Sequence, residues 1–252
     1  MSDIEFINSF EVLYNNITSN QAPGLNSYEK SVFLTKAQDE IIKNYFNPKS
    51  NPKQDGYDST AKRQIDFSTI TSTENITDIN NDALFDPRSN SKSITLPSDV
   101  MMIINERVEV DRGDPAKKVL LTVDAISFDE YDRLMSKPFK RPLHYKAWRL
   151  INNTTANKAD LVVGPSDTIT KYAVRYIRRP HPIIVGDIED LTIEGYSYGD
   201  IDPTDPQDTL KCKGCELDPA LHEEILQRAV ELAKIAWEGS AQSAITAGAR
   251  SE

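Results

Sequence analysis

The chain has 252 residues, 39 acidic and 29 basic, for a formal net charge of -10 with histidine neutral. It is long enough to bury a sizeable core, yet no apolar run approaches the ~20 residues a membrane helix requires. Two cysteines exclude a disulfide-stapled scaffold and suggest a reducing compartment, and the excess of acid argues against wrapping nucleic acid over the whole surface.

Met1-Ser2-Asp3-Ile4-Glu5 has no basic or long apolar run, so no signal peptide is expected. Ser2 and Glu5 have the spacing of a capping box, and Phe6, Phe10, Leu13 and Ile17 follow on one helical face. Pro23-Gly24 breaks that pattern. Asn26 with Glu29 caps a second helix, whose stripe is Phe33, Ala37, Ile41 and Tyr45 and which stops near Asn47-Pro48. A short third helix is predicted from Ser59 through Ile65. Residues 68–98 are rich in Ser, Thr, Asn and Asp and read as a loop or extended arm. Its isolated apolar residues (Ile70, Ile76, Ile79, Leu84 and Phe85) could anchor on a neighbouring subunit.

From Leu96 the pattern changes to period two. Strands are predicted over 101–110, 118–123, 143–150, 161–163 and 170–178, with a short helix capped by Ser127 and Glu130 that ends near Met135. In the last strand Tyr172, Val174 and Tyr176 share one face, and Lys171, Arg175 and Ile177 share the other. Arg178-Arg179-Pro180-His181-Pro182 ends it, because proline cannot donate to a ladder. Asp218 is the N-cap and Pro219 the first residue of a final helix. Its stripes are Leu221, Ile225, Ala229, Leu232 and Ala236, and Leu226, Val230, Ala233 and Trp237. Gly239 is expected to end it, leaving 240–252 as a flexible tail in which Ala241, Ala244 and Ile245 could dock in a partner's groove. The fold class is therefore α+β. Residues 1–67 and 216–239 form a helical bundle, and 99–215 form an inserted β-rich domain, an antiparallel sheet or sandwich.

Chemistry-bearing motifs are few. Cys212-Lys213-Gly214-Cys215 is a lone CxxC without the second ligand pair of a structural zinc site, and it sits in a loop rather than at the helix start a redox motif needs. His144, His181 and His222 are scattered, and no nucleophile elbow, Walker loop or GxGxxG is present. No enzyme, catalytic residue or cofactor is expected. The charges are more informative. Residues 137–179 hold ten bases and two acids, while 187–208 hold eight acids and no base. These blocks are either solvated faces of one chain or complementary surfaces of neighbouring subunits. The second reading places Lys140, Arg141, Arg175, Arg178 and Arg179 against Asp187, Glu189, Asp190, Asp200 and Asp202. A calcium loop at 200–208 lacks the central glycine and final glutamate of an EF-hand.

Several segments together resemble a known family. They are Ser9-Phe10-Glu11-Val12-Leu13-Tyr14-Asn15-Asn16-Ile17, the run Pro23-Gly24-Leu25-Asn26-Ser27-Tyr28-Glu29-Lys30-Ser31 leading into Leu34-Thr35-Lys36-Ala37-Gln38, the stretch Tyr176 to Ile184, and Cys215-Glu216-Leu217-Asp218-Pro219. The chain resembles the ring and adaptor proteins of the head-to-tail connector of crAss-like phages of gut Bacteroides. More loosely, it is similar to the tail tubular or adaptor proteins of other short-tailed phages. The resemblance covers both ends and the late strands, not residues 50–100. It implies a structural virion protein, assembled in the cytoplasm of the infected bacterium. Such a protein forms a homo-oligomeric, dodecameric ring, docks on the portal and further tail rings, and passes double-stranded DNA through its lumen without sequence-specific binding or membrane contact. The rival readings from the residues alone are a nucleic-acid-binding protein using the 137–179 block and a small zinc or redox protein using Cys212 and Cys215.

Overall fold

The first helix starts as its capping box requires. Ser2 N donates to Glu5 Oε2 at 2.8 Å and Glu5 N to Ser2 Oγ at 3.4 Å. Asn26 and Glu29 repeat the reciprocal pair at 2.9 and 2.8 Å. Each pair satisfies amides that the first helical turn leaves without partners. The helices are α1 (Asp3–Ile17), α2 (Ser27–Phe46) and a short α3 (Ala61–Asp66). The computed structural model describes residues 1–17, 24–46, 61–81, 91–113, 118–142, 145–151, 157–189, 191–199 and 210–249; the side chains of Ile151 and of 238–249 lie outside that description.

Two units divide the chain. One comprises Met1–Ile70 and Pro180–Glu252, the other Thr71–Arg179. In the first, α1 and α2 both pack on α5 (His222–Ala249). Phe6, Phe10 and Tyr14 from α1, Leu34, Ala37 and Ile42 from α2, and Ile225, Ala229, Val230 and Ala233 from α5 are buried. Small residues on α5 allow the close approach. Asp218 caps the single 3₁₀ turn (Pro219–Leu221) that leads into α5, accepting from Ala220 N at 2.9 Å.

The same unit holds an extended segment that pairs with no strand among the described residues. Residues 183–185 are buried, and side chains of α2 serve their backbone groups. Thr35 Oγ1 accepts from Ile183 N at 3.1 Å and donates to Ile183 O at 3.4 Å. Ser31 Oγ accepts from Val185 N at 2.9 Å, and Gln38 Nε2 donates to His181 O at 2.9 Å. Ser31, Thr35 and Gln38 lie at steps of four and three, so they form one helical face. That is why a stripe of polar residues is buried there. β9 (Ser197–Tyr198) and β10 (Lys211–Cys212) add a small parallel pair.

The second unit is one eight-stranded sheet in the order β1-β8-β4-β5-β6-β7-β3-β2. Its strands are β1 (Thr71–Ile76), β2 (Ile79–Asn80), β3 (Ser91–Thr95), β4 (Val100–Asp111), β5 (Val119–Ile126), β6 (Lys146–Ile151), β7 (Lys158–Val162) and β8 (Thr168–Arg178). One apolar cluster joins Ile94 of β3, Leu121 of β5, Leu161 of β7 and Tyr172 of β8, so the sheet curls around its own face. The central pair is β4 with β8, whose register shifts at Val100/Met102, Ile103/Asn105 and Glu109/Val110. Such bulges increase local twist and curvature.

The α+β class is as expected, but several details differ. The sheet is mixed and single rather than a sandwich: β5 and β6 run parallel. Residues read as an arm carry β1, β2 and β3, with β1 pairing along β8. Their polar composition hid them: β1 and β2 are edge strands, which bury little, and the inner β3 buries Ser91 and Ser93 along with Ile94. Residues 180–189, 191–199 and 210–215 belong with the helices, because Pro180 and Pro182 end the ladder after β8. The last helix runs through Gly239 to Ala249. One glycine costs only about 1 kcal/mol relative to alanine, too little to stop a helix that continues into Ala and Gln. Ile177, on the opposite face of β8 from Tyr176, is buried as well, so this strand is covered on both faces there.

Candidate functional site

Parallel neighbours cannot be joined by a tight turn. The chain therefore crosses from β5 to β6 through α4 (Phe128–Met135) and a 3₁₀ turn, Pro138–Lys140. Ser127 starts the crossover, its Oγ accepting from Glu130 N at 3.3 Å. Tyr131 of α4 packs edge-on against Trp148 of β6, with ring centroids 6.2 Å apart. The return leaves a groove of about 680 Å³ between the crossover and the sheet, lined by Ile126, Leu134, Phe139, Pro142, Tyr145 and Trp148 among others.

Two aromatic rings on this groove are open to solvent: Phe139 is 96% exposed and Tyr145 79%. Large exposed apolar side chains beside a groove mark interaction surfaces. Lys140, Arg141 and Lys146 also line it, with a carboxylate, Asp124. Lys146 Nζ lies 2.7 Å from Asp124 Oδ2, and Arg141 Nε donates to Met135 O at 2.7 Å. Lys140 is exposed. The site thus combines an aromatic floor and rim with an excess of positive charge.

The structure gathers only part of the predicted basic surface here. Lys140 and Arg141 lie on the groove, while Arg175 and Arg178 are on β8, separated from β6 in the sheet by β4 and β5. Arg175 is exposed, and Arg179, also exposed, donates its amide to Asp99 O at 2.7 Å. Arg149, counted in the basic block, is not on the surface. Its Nε bonds both carboxylate oxygens of Glu106, at 2.9 and 2.8 Å, inside the curled sheet. On the acidic side, Asp187 Oδ1 accepts from Glu189 N at 2.9 Å, with Glu189 at φ 58°. Asp190, Asp200 and Asp202 lie outside the described residues. Ala241, Ala244 and Ile245 fall in α5, with side chains outside the description.

The two cysteines are poorly suited to redox work. Cys212 Sγ lies 3.3 Å from Pro182 O and Cys215 Sγ 3.5 Å from Gln38 Oε1. Burial pushes both thiols up to about 12, and the nearby Glu216 carboxylate adds to it. A free thiolate able to attack a disulfide is therefore scarce at neutral pH. Among the described residues no group of three or more His, Cys, Asp or Glu is placed to hold a metal ion. His222 is buried within the helical unit, its Nε2 3.0 Å from Leu217 O and its Nδ1 2.7 Å from the N-terminal amine.

A family model described as phage tail ring protein 3/4 matches residues 1–244. The chain belongs to that family. It is 46% identical to "Ring protein 4/5" of Bacteroides phage crAss001 over 98% of both chains. It is 28% identical to "Ring protein 3" of the same phage over 93% of this chain and 96% of the other. A phage ring protein is a structural component of the virion. Two features of this family member were not singled out from the sequence. The Arg149–Glu106 pair leaves no local signal, since its partners are 43 residues apart. The exposed Phe139 does leave one: it stands between prolines and bases in Lys137-Pro138-Phe139-Lys140-Arg141-Pro142, a context in which an aromatic has little chance of burial.

Proposed function

We propose that the chain forms one homo-oligomeric ring, an adaptor of the phage head-to-tail connector, stacked with further rings below the portal and enclosing a channel for the genome. The relationship to Ring protein 4/5 over nearly the whole of both chains carries this reading. The additional match to Ring protein 3 of the same phage fits a stack in which related subunits build successive rings. The formal charge of -10 suits a lumen through which phosphates slide rather than stick. The ring would be dodecameric, assembled in the host cytoplasm and carried in the virion. No helix among the described residues is long and apolar enough to cross a membrane.

Cross-linking and mass spectrometry on intact virions test this. Links from this chain to itself, to the portal and to neighbouring ring proteins are the expected outcome. Links only to capsid or distal fibre proteins would place the chain elsewhere and refute the reading.

A further inference from the structure

We infer that the aromatic groove beside the β5–β6 crossover receives residues 200–209 of a second copy of this chain, and that this head-to-tail contact closes the ring. The inference rests on the ring reading above and names the contact that would build it. Residues 200–209 are Asp-Ile-Asp-Pro-Thr-Asp-Pro-Gln-Asp-Thr, followed by Leu210, which is exposed. In a polyproline II helix, with three residues per turn, Pro203 and Pro206 share one edge. Asp202, Asp205 and Asp208 share the next. Segments with the Pro-x-x-Pro spacing dock on aromatic-lined grooves in polyproline II form, which presents the prolines along one edge. The groove presents exposed Phe139 and Tyr145 for a proline edge, and Lys140, Arg141 and Lys146 for an acidic one. Asp124 also lines it, with Lys146 at 2.7 Å.

The donor segment is tethered at both ends in the helical unit. β9 and β10 pair on either side of it, and Gly199 N donates to Cys212 O at 3.3 Å. Groove and segment are different patches of one chain. Contact between unlike patches on successive copies is heterologous and generates a ring when the rotation closes.

Charge swapping separates this from docking within one chain. Variant A carries Lys140→Glu and Arg141→Glu; variant B carries Asp205→Lys and Asp208→Lys. Lys140 and Arg141 are exposed, and circular dichroism is the check that each variant folds. Each variant alone should self-associate at least tenfold more weakly than the parent in sedimentation velocity at low salt. An equimolar mixture of A and B should recover assembly, since the acidic groove of A meets the basic segment of B, and the basic groove of B meets the acidic segment of A. A chain carrying all four changes should recover too. Phe139→Ser should weaken assembly at every salt concentration, whereas the charge effects should fade by 1 M salt.

Recovery in the four-change chain but not in the mixture would mean docking within one chain and would overturn the inference. So would assembly of A and B indistinguishable from the parent, or a parent that stays monomeric at all concentrations. If virion cross-linking places the chain outside the connector while the mixture still recovers, the ring's location is wrong and the contact stands.

Discussion

The buried pair between Arg149 and Glu106 gives the sharpest test of how the sheet unit is held together. The two side chains are 6% and 7% exposed, and Arg149 Nε reaches both carboxylate oxygens. Arg149 Nη1 makes no hydrogen bond, so the guanidinium depends heavily on this one carboxylate. Glu106→Gln keeps the shape and one acceptor but removes the charge, leaving an uncompensated cation inside the sheet. Breaking one side of a buried pair costs about 3–5 kcal/mol, against a total stability of about 5–15 kcal/mol for a domain. For a unit near 100 residues each kcal/mol shifts the melting temperature by about 4–8 °C, so the loss should be on the order of 15 °C or more. Trp148 lies in this unit and Trp237 in the other, so a Trp237→Phe background lets Trp148 fluorescence report the sheet alone in urea titrations. Replacing both partners by apolar residues (Glu106→Leu with Arg149→Met) should recover most of the loss, because the desolvation penalty disappears with the charges. A cost under about 1 kcal/mol for Glu106→Gln, or a double variant as unstable as the single, would refute the account.

Three further outcomes are expected. Thr35→Val strips the donor and acceptor that serve Ile183; it should cost about 1–3 kcal/mol and raise the amide exchange rate at Ile183, whereas unchanged exchange there would mean that water replaces the hydroxyl. Cys212 and Cys215 should react with a maleimide at pH 7.5 far more slowly than in urea. Because burial raises both thiols to about 12, the stability they favour is present below ~8.5, the unfolded value, and is lost as pH rises through 12; a stability profile in which the Cys→Ser variant falls as steeply on the alkaline side would count against it. His222 is held below its ordinary range chiefly by burial, with a smaller push from the N-terminal charge and the Leu217 carbonyl opposing. Its stabilising share is therefore present above about 6.5 and lost as pH falls, so His222→Gln should flatten the acid limb of helical-unit stability, read by Trp237 fluorescence.

Local rules determined much of this protein. The reciprocal caps at Ser2/Glu5 and Asn26/Glu29, the Asp218-Pro219 start of the last helix and the period-two burial of Tyr172, Val174 and Tyr176 all follow from groups within a few residues of each other, so the sequence alone carries them. Family membership was legible from the same kind of local segment, the caps and packing stripes at both ends of the chain. What lay beyond reach depends on partners distant in the chain. β1 and β3 are polar strands whose order comes from β8 and β7 beside them. The extended run at 183–185 is buried because side chains of α2, some 150 residues away, take the place of a neighbouring strand. Arg149 counts as a surface base in any tally of charge and is an interior one in the fold, where Glu106 neutralises it. The groove arises only because β5 and β6 run parallel and force a crossover between them. Caps, turns and alternation depend on free-energy differences between neighbouring residues, whereas burial and charge compensation depend on which distant segments meet, and that is set only when the chain closes on itself.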